Sequence, residues 1–453
     1  MKNQLLTLML ISLCLTSNSC TDEENTLQKN TDQSTKETTN TFDLNETEAK
    51  NLLKMFINQV SEPLDVKTKS EEIHISTSSK RYVVSTQSIN TKSGSNTNKS
   101  DSVLIYNFNI SSSNEDGFAV VIGDKRIPLV MAYAPYGNLN DTIVNDGLKL
   151  WLNKMPQYVD QLIQTFNNSP CKAQTKVSGL LPTLTAKDSV FIASKFPCTW
   201  LGGMEFILNN CYFKVFETRV YASSIVKNKW HQNAPFNNQV AFLPTSCNLP
   251  NQRGYAGCGI IAIAQLMAHH KYPSGYNWTL LNNDPYISTS TTDATRANEV
   301  SRLIKDIHNV IKPDIQCAGT SVSTKDVKNT LSHYGFKFDF ISSDDLFYRQ
   351  SKDSDYPFIQ FGQTTNKEGH FWIVDGYAYI VYGYRGDSAK YKDMDTGEWK
   401  DINEPIDLLW SVFEPDNTFH INWGWGGSSD GWYTTFYGND YSTNQYSYVN
   451  IRK

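Results

Sequence analysis

Apolar positions are unevenly spread along this chain. From Thr21 to about Asp43 it is Thr, Asn, Gln, Ser, Lys and Glu with almost no apolar residue. Such a stretch buries too little surface to offset its ordering entropy and reads as a flexible tether over 21–43. Order begins at Asn45, a helix N-cap followed three positions later by Glu48. Ala49, Leu52, Leu53, Phe56 and Val60 then recur at helical spacing. The polar stretch from Ser85 to Ser102 reads as a loop. Three apolar runs read as strands: Val103–Phe108, Phe118–Ile122 and Leu129–Tyr133, the last two separated by a Gly123-Asp124 turn. Leu148, Trp151, Leu152, Met155, Val159, Leu162 and Phe166 predict a second helix, with a kink at Pro156. Together these elements predict a compact α+β module. Its only histidine, His74, has no nucleophile or second ligand nearby in the sequence. Residues 167 to about 225 show no strong pattern and read as a linker or the end of that module.

From Trp230 onward the chain holds most of its glycines, tryptophans and histidines. In Gln252–Pro273, nearly every residue after Cys258 is apolar until His269-His270-Lys271. This predicts a helix of about 13 residues, buried on most sides and stopping before Pro273. Cys258 falls in its first turn, where the helix dipole and unpaired N–H groups favour a thiolate. Gly254, Gly257 and Gly259 allow close backbone approach. Taken alone, this helix equally suits an inert core cysteine. A second segment, Gly369–Tyr377, opens a strand with His370, and a cysteine nucleophile needs such an imidazole. A third, Phe419–Trp432, interleaves Trp423 and Trp425 with glycines behind Asn422, whose side chain could accept an N–H from the histidine. His420 is a rival base, but its alternation with Ile421 turns it away from that surface. His269 and His270 are adjacent on a helix and point apart. With no His-Glu-x-x-His and no Cys-x-x-Cys, the sequence predicts no metal and no cofactor.

The order Gln252, Cys258 helix, Gly369-His370-Phe371, Asn422-Trp423-Gly424-Trp425-Gly426-Gly427 resembles the streptopain family of bacterial cysteine proteases. Lys229–Asn237 is similar to the start of that family's mature domain, and Gly117–Arg126 to its pro-domain. The resemblance implies an α+β chain: a papain-like, two-lobed protease domain over 229–453, preceded by an inhibitory pro-domain over 45–200 with a linker to about 228. It implies Cys258 as nucleophile, His370 as general base, and Gln252, six residues before the cysteine, as side-chain donor of the oxyanion hole. Asn422, Trp423 and Trp425 would orient the histidine and wall the cleft. The family often has Gly-Cys-Val-Ala at the nucleophile; Gly259 and Ile260 depart from that. The implied activity is an endopeptidase made as a latent zymogen, acting on protein or peptide substrates, with its own pro-domain as intramolecular inhibitor. Another Cys-His hydrolase, such as a cell-wall amidase or a transglutaminase-like enzyme, and an idle surface adhesin are the competing readings.

The length of 453 residues predicts two or three domains. With 41 basic against 46 acidic residues, a net charge of −5 gives no electrostatic basis for nucleic-acid binding. The apolar run Leu5–Leu15 covers about half of the ~20 residues a membrane span needs and reads as the core of a signal peptide over 1–19. Small residues leading into Cys20 favour it as a lipid-attachment residue, with plain cleavage and secretion as the alternative; the chain is expected to be exported, as an outer-membrane or cell-surface lipoprotein touching the membrane through that lipid alone, and release after maturation is open to it. Eight cysteines are too few for a disulfide scaffold. Cys171, Cys198, Cys211, Cys247 and Cys317 form an odd set that cannot all pair internally; Cys198 with Cys211 is one candidate pair.

Overall fold

The computed structural model describes residues 42–61, 73–90, 96–112, 116–139, 145–167, 206–222, 224–342, 357–363, 369–392, 396–409, 417–434 and 446–452. Cys20, Cys171 and Cys198 lie outside these ranges. Helix α1 (Glu46–Val60) opens with the expected capping box. Asn45 Oδ1 accepts from the Glu48 N–H at 3.0 Å, and Glu48 Oε2 accepts from the Asn45 N–H at 2.8 Å. Strands β1 (His74–Asn90), β2 (Asn96–Ser111), β3 (Asp116–Ile122) and β4 (Leu129–Ala134) form an antiparallel meander. Helix α2 (Asp146–Asn167) follows and runs through Pro156, which sits on its exposed side.

Two expectations are corrected. Within the supposed loop over 85–102, Ser85 to Asn90 pair with Asn96 to Asp101 as an antiparallel ribbon. Backbone pairing satisfies N–H and C=O groups whatever the side chains, so a polar ribbon carries no apolar alternation to read. The linker reading also fails over 206–222. There β5 (Phe206–Asn209) and β6 (Tyr212–Ala222) form, and β6 lies antiparallel along Tyr377–Arg385. The Thr218 N–H of β6 donates to Gln59 Oε1 of α1 at 2.8 Å.

The C-terminal part supplies α3 (Cys258–His270), α4 (Ala294–Ile311) and α5 (Thr324–His333). A hairpin of β7 (Asp314–Gln316) and β8 (Gly319–Ser321) joins the last two. Among the described residues, nine strands follow: β9 (Lys337–Ser342), β10 (Phe358–Gln363), β11 (Gly369–Gly386), β12 (Ser388–Lys392), β13 (Trp399–Ile402), β14 (Ile406–Leu409), β15 (Asn417–Asn422), β16 (Gly431–Thr434) and β17 (Tyr446–Arg452). The α3 helix spans the 13 residues expected of it and is buried from Gly259 to Ala268. It packs in a helix-rich lobe with Val300, Leu303 and Ile304 of α4 and Val327 and Leu331 of α5. The other lobe is the sheet, so the class is the α+β expected, with two lobes meeting where α3 faces Phe371 and Ile373 of β11.

The N-terminal module shares the second lobe. Strand order is β1-β2-β3-β4-β16-β15-β11-β10-β17-β9, with β6 and β14 also on β11. The junction is β4 against β16, where Ala132 faces Tyr433 and Tyr133 faces Trp432. One apolar core joins Val103, Phe118, Trp151 and Val159 to Trp372, Phe419, Trp423 and Tyr433. Cys247 and Cys317 form a disulfide tying the loop before α3 to the β7–β8 turn. Cys211 is also disulfide-bonded, and Cys258 is the free cysteine among the described residues.

Candidate active site

The thiol sits at the lobe boundary because of how α3 begins. Gly257 caps the helix without a side chain, so no side chain competes for the first-turn N–H groups. Cys258 is half-buried. Its neighbour Gly259 is wedged between lobes: a Cβ there would lie 2.7 Å from Val322 Cγ2 and 3.2 Å from Phe371 Cδ2. The departure from Gly-Cys-Val-Ala therefore has a local cause, since Val322 and the Phe371 ring already occupy the space of a larger side chain.

His370 comes from the first residues of β11 and is 3% exposed. Its Nε2–H donates to the main-chain oxygen of Trp423 at 2.9 Å, which leaves Nδ1 for the sulfur of Cys258, to which His370 is hydrogen-bonded. Burial pushes the Cys258 thiol up. The charge and hydrogen bond of His370, with the N–H groups of Phe371 and Gly259, outweigh it and hold the thiol below its ordinary value. Burial pushes the imidazolium down, but the Cys258 thiolate, the Trp423 carbonyl and the Asp146 carboxylate carry His370 above its ordinary value. The two shifts are opposite in sign and mutually caused, the electrostatics of a thiolate–imidazolium pair.

The remaining residues singled out in the sequence divide. Trp423 supports the imidazole with its main chain, while its indole packs at tilted and edge-on angles among Trp372, Tyr433 and the histidine. Trp425 is half-buried against the same core. Asn422 does not take the histidine N–H. Its Oδ1 accepts from Gln265 Nε2 at 3.2 Å and from the Gly424 N–H at 3.1 Å, and its Nδ2 donates to Asn228 O at 2.9 Å. That side chain is consumed in holding the loop, and a carbonyl one residue on supports the ring instead. Gln252 ends a 3-10 turn six residues before the thiol and is exposed. The turn is pinned by the Leu243 N–H donating to Gln252 O at 2.8 Å. His420 is engaged elsewhere: its Nδ1–H donates to Asp375 Oδ1 at 2.6 Å, and its ring abuts Trp432.

The N-terminal module reaches this site. A Cβ on Gly147, in the first turn of α2, would lie 2.2 Å from Trp423 Cε3 and 2.9 Å from His370 Cδ2. Asn145 caps the helix there, its Oδ1 accepting from the Leu148 N–H at 3.0 Å. The α2 N-terminus thus lies directly on the imidazole and its supporting indole, with His370 still hydrogen-bonded to Cys258. Sequence reading missed these contacts because Gly147 has no side chain to announce them.

Comparison with known proteins follows the same division. The peptidase C10 family matches residues 230–280 and 274–433, and the Spi protease inhibitor family matches 41–159. The thiol protease/hemagglutinin PrtT of Porphyromonas gingivalis is 23% identical over 359 residues, covering 73% of this chain and 34% of that protein. The chain thus spans about a third of that relative's length. Streptopain of Streptococcus pyogenes serotype M1 is 22% identical over 366 residues, 73% of each chain. Among solved structures, a Prevotella intermedia prointerpain A fragment aligns at 15% identity and a TM-score of 0.44, over 82% of this chain and 98% of its own. Active interpain A of the same organism aligns at 16% and 0.34, over 51% and 94%.

Proposed function

We propose, from the peptidase C10 (streptopain) family match over 230–433 and the Spi inhibitor family match over 41–159, that this chain is a cysteine endopeptidase made as a zymogen, with Cys258 as nucleophile and His370 as general base. What supports the residue assignment is the pairing of Cys258, at the start of α3, with the buried His370 at the start of β11, whose Nε2–H is held by the Trp423 carbonyl at 2.9 Å. His370 holds the thiol proton, and the thiolate attacks a peptide carbonyl. The first-turn N–H of Cys258 and the side chain of Gln252 stabilise the oxyanion. His370 then protonates the leaving amine, and water hydrolyses the thioester. The Trp423 carbonyl keeps Nδ1 aimed at the sulfur throughout. Asn422 supports the loop, and Trp425 walls the cleft.

The N-terminal module is the proposed intramolecular inhibitor, acting by covering: α2 occupies the space above His370 and Trp423 without pulling the histidine off the thiol. Cleavage between about 200 and 229 releases it. The assignment is tested by digesting casein and peptidoglycan in parallel with wild type and Cys258→Ala. Casein cleavage by wild type alone is expected. Peptidoglycan cleavage would favour an amidase, and casein cleavage by Cys258→Ala would remove the nucleophile.

We further propose export with lipid anchoring at Cys20. What supports it is the short apolar run after Lys2 and the small residues leading to that cysteine. Wild type should then need detergent for release from membranes, whereas Cys20→Ala should be soluble. Full release of wild type by salt would contradict the anchor.

A further inference from the structure

The support for His370 continues past Trp423. The Trp423 N–H donates to Asp430 Oδ1 at 2.9 Å, and the other carboxylate oxygen, Oδ2, accepts from Lys229 Nζ at 2.9 Å. Trp423 is thus held at both ends of its main chain: its N–H is fixed by Asp430, and its C=O, across one Cα, holds the imidazole. The pair is shielded, with side-chain exposures of 3% for Asp430 and 19% for Lys229. Desolvation lowers the ammonium, but Asp430 and Asp375 outweigh it, so Lys229 stays charged. The loop between the two ends is fastened as well. The Gly426 N–H donates to Trp230 O at 3.0 Å, and the Asp430 N–H to Gly427 O at 3.1 Å.

We propose that Asp430 is a positioning residue for the reaction: it fixes the Trp423 main chain so that the Trp423 carbonyl holds His370, and Lys229 is the counter-ion that lets a carboxylate be buried there. This rests on the Cys258–His370 reading above. Water cannot replace the carboxylate easily in so closed a place, and a Trp423 carbonyl free to rotate would release the imidazole from its aim at the sulfur. The Coulombic partners around the pair are Asp375 and Tyr286 on the lysine side and Tyr433 on the carboxylate side. The hydroxyl of Tyr433 is turned away, donating to Ser429 O at 2.6 Å. Lys229 stands at the proposed start of the protease domain, so the device also ties that start to the histidine.

The test uses the full-length chain as wild type, Asp430→Ala, and the double variant Lys229→Met/Asp430→Asn, with exposed Asp401→Asn as a remote control. Two quantities are read: the pH profile of iodoacetamide alkylation at Cys258, located by peptide mapping, and kcat and KM on casein after processing. Asp430→Ala should move the alkylation midpoint towards the ordinary thiol value of about 8.5 and lower kcat about 100-fold, with KM within about threefold. The double variant keeps an acceptor for the Trp423 N–H and buries no lone charge, so it should recover kcat to within about tenfold of wild type. The proposal is overturned if Asp430→Ala keeps the wild-type profile and kcat, or if the double variant is as impaired as Asp430→Ala. Should Asp430→Ala not fold, the double variant decides alone. A wild type that already alkylates like an ordinary thiol would refute the Cys258–His370 pair itself, and with it this device.

Discussion

At the residue scale, the chemistry turns on how few atoms surround the imidazole. Cys258 and His370 could be proposed from the sequence because a cysteine at a helix start and a histidine opening a strand are side-chain signals. The group that holds His370 was not legible, because it is a carbonyl, and every residue has one. Asn422 looked suited to that role by type; Gln265, Gly424 and Asn228 take its hydrogen bonds instead. Gly147 was silent for the opposite reason: its importance lies in the side chain it lacks. A larger residue there meets the Trp423 ring and His370 at once. Overpacking of this kind costs about 1–3 kcal/mol, which lifts the undocked population by about fivefold to 150-fold. Gly147→Leu should therefore raise the basal casein activity of uncleaved chain by a similar factor, measured against wild type under conditions that prevent processing. No rise would mean that α2 does not gate the site.

At the element scale, the α3 helix was readable to its ends, since an almost wholly apolar run from Cys258 to Ala268 lies between Gly257 and Pro273. The paired β1–β2 ribbon and β6 were not. The first is polar where it was taken for a loop, and the second depends on partners that come much later in the chain, at Tyr377–Arg385. The β6 ladder bears on processing. A protease must draw several residues of main chain into an extended, unpaired form, which strands inside a sheet resist. Residues 225–229 are held too. The Ile225 and Val226 N–H groups donate to Asp375 O and Oδ2, both at 3.1 Å, and the Lys229 N–H to Pro285 O at 2.9 Å. Within the window from about 200 to 229, N-terminal sequencing of the mature enzyme should thus find a start near 200–206 or 223–225. A start inside 213–222 would show that β6 opens before the cut.

At the scale of the whole molecule, the two modules could be told apart in sequence, yet they do not fold as two balls. A sheet shared through β4 and β16, and a core shared through Trp151, Trp423 and Tyr433, would make the proposed latency a property of the joint structure. On that proposal inhibition needs no distortion of the thiol–imidazole pair, because α2 covers it in place. The sign of the pH dependence follows. With the thiol held below its ordinary value and the imidazolium above its own, reactivity should be present between the two shifted values. It should fall on the acid side as the thiolate protonates and on the alkaline side as the imidazolium loses its proton. The most direct measurement is a titration of matured enzyme with iodoacetamide at a pH below the ordinary thiol range. It follows the fraction of Cys258 modified by peptide mapping and the casein activity remaining. Activity should fall linearly to zero as Cys258 alone becomes modified, and His370→Ala should abolish labelling at that pH. Full activity with Cys258 completely alkylated, or loss of activity tracking another residue, would contradict the account.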